Sequence, residues 1–229
     1  MKVCALVPAA GLGLRLKANT VKPLVAIDKD SIIIHTLRKL SSHPLIDEIY
    51  VIFNPRHIKK AKDLIIKNKI KKVKGVIGGG ATRTQSVANG LDKIKDADLV
   101  LIHDGVRPFI DIKIITKVIK SAAKYGAAIV GIPVKATIKR VKDKTPEVDC
   151  TLRRDEIWEI QTPQVFKKDL IMRAYRSIKD GECGLPDDAF LVERLGYRVA
   201  LVMGSSLNIK ITTPEDLILA MAIKRLKDN

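Results

Sequence analysis

Short unbroken apolar runs alternate along the chain with stretches in which apolar residues recur every three or four positions. The runs cover residues 3–8, 49–53, 73–77, 99–102, 127–134 and 199–203. Continuous apolar segments of this length, bounded by turn residues, read as strands buried on both faces. The stretches between them read as helices. After Asp111, residues Ile112, Ile115, Ile119 and Ala122 share one helical face, with Asp111 placed to cap the first turn. Thr213-Pro214-Glu215-Asp216 opens the last helix with a capping threonine, a proline in the first turn and two acids that complement the helix dipole. Strands alternating with helices demand right-handed crossovers and a mostly parallel sheet. The pattern therefore predicts an α/β fold, a Rossmann-like three-layer sandwich with a mostly parallel central sheet, in one domain over residues 1–229.

One stretch breaks the rhythm. Residues 135–161 carry few apolar side chains and many charges, among them Lys135, Lys139, Arg140, Lys142, Asp143 and Lys144. Residues 142–146 read as a turn, so a strand and a returning strand would project as a β-arm. An isolated hairpin is only marginally stable. The arm is therefore expected to pack on a second copy of the chain and to make a homodimer.

Composition narrows the function. The net charge of +17 raises the possibility of nucleic-acid binding. Yet aromatic residues make up only 4% of the chain and do not interleave with the basic ones, so no base-stacking platform is visible. The lysines instead decorate solvated helix faces, as at Lys59, Lys60, Lys62 and Lys67. No apolar run approaches the roughly 20 residues of a membrane helix, and the first run is too short for a signal peptide. A cytoplasmic location is expected. Cys4, Cys150 and Cys183 suit neither a disulfide framework nor a zinc site, and His35, His43, His57 and His103 show no metal-ligand spacing.

The sharpest chemical signal follows the first strand: Pro8-Ala9-Ala10-Gly11-Leu12-Gly13-Leu14-Arg15. Glycines let the backbone approach a phosphate, and successive N–H groups can cradle it. A dinucleotide-binding loop needs a third glycine where Leu16 stands, and favours an acid where Asn54 follows the second strand. A dehydrogenase is thus disfavoured. Arg15 and Lys22 add two cations beside the loop.

This loop, followed by Lys22, resembles the signature of the nucleotidyltransferase superfamily. GGGATRTQSVANGL (78–91), LIHDGVRPF (101–109), PVKATIKRV (133–141), RRDEIWEIQTPQVF (153–166) and NIKITTPEDL (208–217) are similar to segments of the 2-C-methyl-D-erythritol 4-phosphate cytidylyltransferase family. They occur in the same order over nearly the whole chain. The chain departs from the family pattern at Val21 and Pro23 around the lysine, at Ala81, at Ala136 and at Pro186-Asp187-Asp188. The nearest rival is a CDP-ribitol synthase with the same loop and cations; a basic, non-catalytic RNA-binding protein is more remote.

The resemblance implies a reaction of CTP with a polyol phosphate, with Mg²⁺ or another divalent cation held mainly by the CTP phosphates and Asp104 as a candidate protein ligand. Arg15, Lys22, Arg154 and Lys210 would be catalytic. Pro8, Ala9, Ala10, Gly11, Gly13, Arg15, Lys22, Gly79, Ser86 and Asp104 would bind CTP. Asp104, Arg107, Thr137, Arg154 and Lys210 would bind the acceptor, with Thr137 and Arg154 crossing to the partner subunit on the arm. Several of these residues also have plain structural readings. Asp104 can cap the next segment, His103 can be a strand-end anchor, and Arg107 can be an ion-pair partner. Trp158 can pack at the base of the arm, Asn89-Gly90 can end a helix, and Asn208 can order the loop that presents Lys210.

Overall fold

The computed structural model describes residues 1–11, 21–142, 145–179, 182 and 184–228. The chain starts with β1 (Val3–Ala9), then a small hairpin of β2 (Ala26–Ile27) and β3 (Asp30–Ser31), and α1 (Ile32–Ser42). Next come β4 (Glu48–Phe53), α2 (Ile58–Lys67), β5 (Val73–Gly78), α3 (Arg83–Leu91), β6 (Leu99–Ile102), α4 (Ile112–Tyr125) and β7 (Ala127–Pro133). The exposed hairpin of β8 (Lys139–Val141) and β9 (Val148–Thr151) leads to β10 (Trp158–Lys167) and α5 (Lys168–Arg176). The chain ends with α6 (Asp188–Arg194), β11 (Ala200–Met203) and α7 (Pro214–Asp228).

Seven strands form one sheet in the order β11-β7-β10-β6-β1-β4-β5. All its pairings are parallel except those of β10, which runs antiparallel to both β6 and β7. All six apolar runs are strands of this sheet. Strand periodicity explains the three layers: Val3, Ala5 and Val7 point into a core shared with α1, α2 and α4, while Cys4 and Leu6 point into one shared with α3, α5 and α6. Burial pushes the Cys4 thiol up to about 12, which makes it an inert core residue. A third, smaller core joins α7 to Ile27, Ile32 and Phe109.

Helix ends follow local chemistry. Asp111 Oδ1 accepts from the Lys113 N–H at 2.6 Å, as the cap expected there. Gly126, at φ 90°, closes α4 in a conformation that only glycine adopts without strain. The buried face of α4 differs from the expected one. Ile112 is 41% exposed, and Ile114 and Val118 join Ile115, Ile119 and Ala122 in the core. Ile112 lies in the first turn of the helix, where it is only partly covered.

The expected arm is shorter than 135–161. Trp158–Gln161 form the start of β10, with Trp158 opposite Pro133 and Gln161 opposite Val130. Two features hid this strand from the apolar pattern. Its buried Gln161, Thr162 and Gln164 are polar, and Pro163 lies within it. A register shift between Gln161 and Gln164 accommodates the proline, which could not donate to a regular ladder. The tip of the arm at Asp143 and Lys144 lies outside the described residues.

Asn89-Gly90 does not stop a helix, because α3 continues to Leu91. Asn89 Nδ2 donates to the Gly78 carbonyl at 3.1 Å, and Gly90 lets α3 lie against the sheet. A Cβ there would meet Ile52 Cδ1 at 3.0 Å and Leu6 Cδ2 at 3.2 Å. Gly90→Val is therefore expected to destabilise the fold by about 1–3 kcal/mol through overpacking, read as a lower midpoint in chemical denaturation. An unchanged midpoint would mean that the interface has room to spare.

Candidate active site

The cleft lies at the carboxyl end of the parallel strands, where the turns after β1 and β5 and the loop after β6 meet, the usual place for ligands in open α/β sheets. Its volume is about 710 Å³. Pro8, Ala9, Ala10 and Gly11 form one wall; Lys22 and Pro23 enter from a single 3-10 turn at Lys22–Leu24. The opposite wall is the turn into α3, including Gly80, Arg83 and Ser86, and the floor carries Asp104, Lys210 and Thr212.

Close backbone approach builds these walls. A Cβ on Gly79 would lie 2.4 Å from Ala10 Cβ and 2.9 Å from Ser86 Oγ, so only glycine lets the two turns touch. Ser86 Oγ donates to Thr82 O at 2.8 Å and accepts from Gly80 N–H at 3.1 Å. Thr82 Oγ1 caps α3 by accepting from Gln85 N–H at 3.1 Å. The positive end of the α3 dipole therefore faces the cleft, where it favours an anion.

Asp104 is the electrostatic centre. Its carboxylate is almost fully buried, yet three cations converge on it. Lys210 Nζ stands 2.8 Å from Oδ2, Arg83 Nε 3.4 Å from Oδ1, and Arg107 Nε 3.7 Å from Oδ2. Burial alone would raise its pKa, but Arg83, Lys210 and Arg107 outweigh that and hold the carboxyl well below the usual range. Burial pushes the Arg107 guanidinium down, against the pull of Asp104, whereas Arg83 is pushed up because Asp188 and Asp104 together exceed its own desolvation.

Of the residues expected in the site, Pro8, Ala9, Ala10, Gly11, Lys22, Ser86, Asp104 and Lys210 line this one cleft, and Gly79 and Arg107 stand directly behind it. Gly13 and Arg15 lie outside the described residues. Thr137 and Arg154 are exposed on the arm side, apart from the cleft of their own chain; Arg154 Nη1 donates to Lys135 O at 3.2 Å. Arg83 and Asp188 were missed. Arg83 sat inside a recognised motif, but nothing in its spacing says that it turns inward, and Asp188 shows only as one of two adjacent acids. Asp104 is the one carboxylate among the described residues that line the cleft, and its oxygens already face three cations. One carboxylate so engaged could not cage a divalent cation, which would have to bring most of its ligands with it.

A buried hydrogen-bond chain fixes the floor. His103 Nε2 lies 3.0 Å from the Arg107 carbonyl, which can only accept, so Nε2 carries the proton. Its Nδ1 then accepts from Thr162 Oγ1 at 3.0 Å, while Thr162 Oγ1 accepts from the Asp104 N–H at 3.0 Å. Asn208 Nδ2 donates to Thr162 O and Gln161 Oε1, and Asn208 O accepts from Arg107 Nη1 at 2.7 Å. His103 and Asn208 thus take the structural roles open to them, and the loop bearing Lys210 is tied to β10. Burial lowers the His103 pKa to about 4, and burial also lowers that of His43. Below the unfolded value of 6.5, the unfolded chain binds a proton that the native one refuses, so stability falls as pH drops. Between pH 6.5 and 5 the slope from His103 approaches about 1.4 kcal/mol per pH unit. His103→Gln is expected to flatten the stability–pH curve in that window, leaving the share of His43. An equally steep curve in the variant would mean that His103 is protonated in the native state.

Residues 3–226 match the family described as 2-C-methyl-D-erythritol 4-phosphate cytidylyltransferase. The chain is 43% identical over 224 residues to the protein of that name from Alkaliphilus metalliredigens, covering 97% of this chain and 92% of the relative. It is 45% identical over 219 residues to that of Clostridium tetani, covering 96% and 89%. The crystal structure of 4-diphosphocytidyl-2C-methyl-D-erythritol synthase from Anaerococcus prevotii superposes with a TM-score of 0.87 at 34% identity, over 98% of this chain and 96% of that one. The Gly-rich turn, the two lysines of the cleft and the buried aspartate therefore stand in a chain that belongs to the 2-C-methyl-D-erythritol 4-phosphate cytidylyltransferase family.

Proposed function

We propose that this chain transfers the cytidylyl group of CTP to 2-C-methyl-D-erythritol 4-phosphate, giving CDP-methylerythritol and pyrophosphate in non-mevalonate isoprenoid precursor synthesis. The observation that carries it is the convergence of Lys22, Lys210, Asp104 and the turn after β1 on one cleft. An oxygen of the acceptor phosphate attacks the α-phosphorus of CTP; the bond from that phosphorus to the bridging oxygen breaks, and pyrophosphate leaves with the electron pair. A phosphate monoester is already an anion near neutral pH, so the reaction needs no general base. The barrier is electrostatic, because two anions must meet and charge then builds on the leaving group.

Each residue has a task in that scheme. Lys22 and Arg15 stabilise negative charge on the α- and β-phosphates and on departing pyrophosphate. Pro8, Ala9, Ala10, Gly11, Gly13, Gly79 and Ser86 hold the nucleotide along the two apposed turns. Lys210 receives the acceptor phosphate, Arg107 and Asp104 hold Lys210 in register, and Asp104 would be the protein contact of a divalent cation brought in by the nucleotide. Bound Mg²⁺ supplies Lewis-acid neutralisation of the phosphates. Thr137 and Arg154 complete the acceptor site of a partner subunit, reached by the arm of a homodimer that leaves the sheet after β7 and returns to it at β10. The exposure of Val141 and Val148 on the hairpin supports a covering partner. The enzyme acts in the cytoplasm, the compartment that supplies CTP.

Steady-state release of pyrophosphate from CTP, Mg²⁺ and methylerythritol phosphate tests the reading, and faster turnover with ribitol 5-phosphate would overturn the choice of acceptor. Lys22→Ala is expected to lower turnover by about 10²- to 10³-fold, the scale of losing one transition-state donor. Near-normal turnover in a folded variant would remove Lys22 from the mechanism. Mixing inactive Arg15→Ala and Arg154→Ala proteins is expected to restore activity, because each heterodimer would hold one intact site. No recovery after proven subunit exchange would confine the site to one chain.

A further inference from the structure

Arg83 has no task in the scheme above, although it lines the cleft and joins two buried carboxylates. Its Nη1 and Nη2 donate to Asp188 Oδ1 and Oδ2 at 3.0 and 2.7 Å, a two-point fork, while Nε faces Asp104 Oδ1 at 3.4 Å. Asp188 is fully buried at the start of α6 and is held from behind. Tyr175 OH donates to its Oδ1 at 2.5 Å, and its own N–H donates to Gln164 Oε1 at 3.2 Å. Gln164 Nε2 in turn donates to Asp187 Oδ2 at 2.8 Å. The planar guanidinium is thereby fixed in orientation as well as in place, which an ammonium could not be.

The consequence falls on Asp104. The last torsion of an aspartate is broad and roughly two-fold, so one bonded oxygen does not define where the other lies. Lys210 and Arg107 both approach Oδ2. Arg83 is the cation on Oδ1, and among the described residues it alone of the three is tied to a second buried acid. We propose that Arg83 is a positioning residue for the transfer: clamped by Asp188, it sets the rotation of Asp104 and so the point at which Lys210 meets the acceptor phosphate. The proposal rests on the assignment of Lys210 to that phosphate. Arg83 need not touch substrate to act in this way.

The test is a double-mutant cycle on the whole enzyme, with thermal unfolding recorded for every variant. Arg83→Lys keeps the charge but cannot span Asp188 and Asp104 together. Asp188→Asn keeps the shape and an acceptor for Tyr175 but releases the fork. Each is expected to lower kcat by about 10- to 100-fold, the scale of a misplacement near 1 Å, while unfolding remains cooperative. In the Lys210→Ala background the same substitutions should lower kcat by less than about threefold further, because their effect runs through Lys210. Wild-type kcat in both single variants overturns the proposal, as do losses that multiply fully with that of Lys210→Ala. Failure of both variants to fold overturns it too, since the fork would then be a structural clamp. Wild-type kcat in Lys210→Ala is a separate result: it removes the assignment of Lys210 first, and this proposal with it.

Discussion

A single buried carboxylate organises the cleft. Burying an ionised group is costly unless it is paired, and Asp104 is paired three times over, by side chains from α3, from the loop after β6 and from the loop before α7. Arg107 is local, three residues on, but Arg83 and Lys210 come from segments remote in sequence, so the charge is fully compensated only when those segments have met. The same arrangement leaves the cleft short of negative charge. Asp104 and Asp188 face Arg83, Arg107 and Lys210, and Lys22 enters from the other wall. Folding thus stores an excess of positive charge where an anionic ligand can reach it, within a chain whose net charge is +17.

The sheet determines where that centre lies. Parallel β1, β4, β5 and β6 end at one edge, which delivers the turn after β1, the turn into α3 and Asp104 to a common level. The reversed strand β10 does something that a parallel strand could not. It brings the irregular Gln161–Gln164 step to the point where β6 ends, so that Thr162 reaches both His103 and the Asp104 N–H. From the same step, Gln161 and Thr162 hold Asn208 and with it the approach of Lys210. The polar residues of β10 are therefore structural partners of the charged floor, each satisfied within the core.

Much of this was legible in the sequence, for reasons that are local. β1, β4, β6 and β7 showed as apolar runs because they lie inside the sheet with both faces largely covered, whereas β5 and β11 are edge strands that kept the apolar pattern with their faces only partly covered. The cap at Asp111 showed because its hydrogen bond lies within one turn. The Gly-rich turn and Lys22 showed as a loop shaped for phosphates with a cation beside it, whereas Asp104 and Lys210 were reached through the resemblance of the segments that carry them. What stayed hidden depends on distant partners. β10 reads as polar because its glutamines and threonine find their partners in other segments. Arg83 and Asp188 are separated by more than a hundred residues, and neither residue alone reveals the fork. Gly90 looked like a helix stop because its value lies in contact with Ile52 and Leu6 across the layer.

The departures from the family pattern acquire meaning on this frame. In Pro186-Asp187-Asp188 the two acids divide the labour: Asp187 Oδ1 caps α6 by accepting from Phe190 N–H at 2.9 Å, and Asp188 turns inward to Arg83. Pro186 precedes the cap, where its missing N–H costs no helical hydrogen bond. Ala81 presents no carboxylate at the lip of the cleft, although its N–H is fixed by Gln85 Oε1 at 2.9 Å. The polar groups left at that lip are backbone groups and the side chains of Thr82 and Ser86. The cleft also carries one negative charge fewer than an acid would give it. Alanine at 81 thus shifts the local charge balance in the same direction as the buried cations.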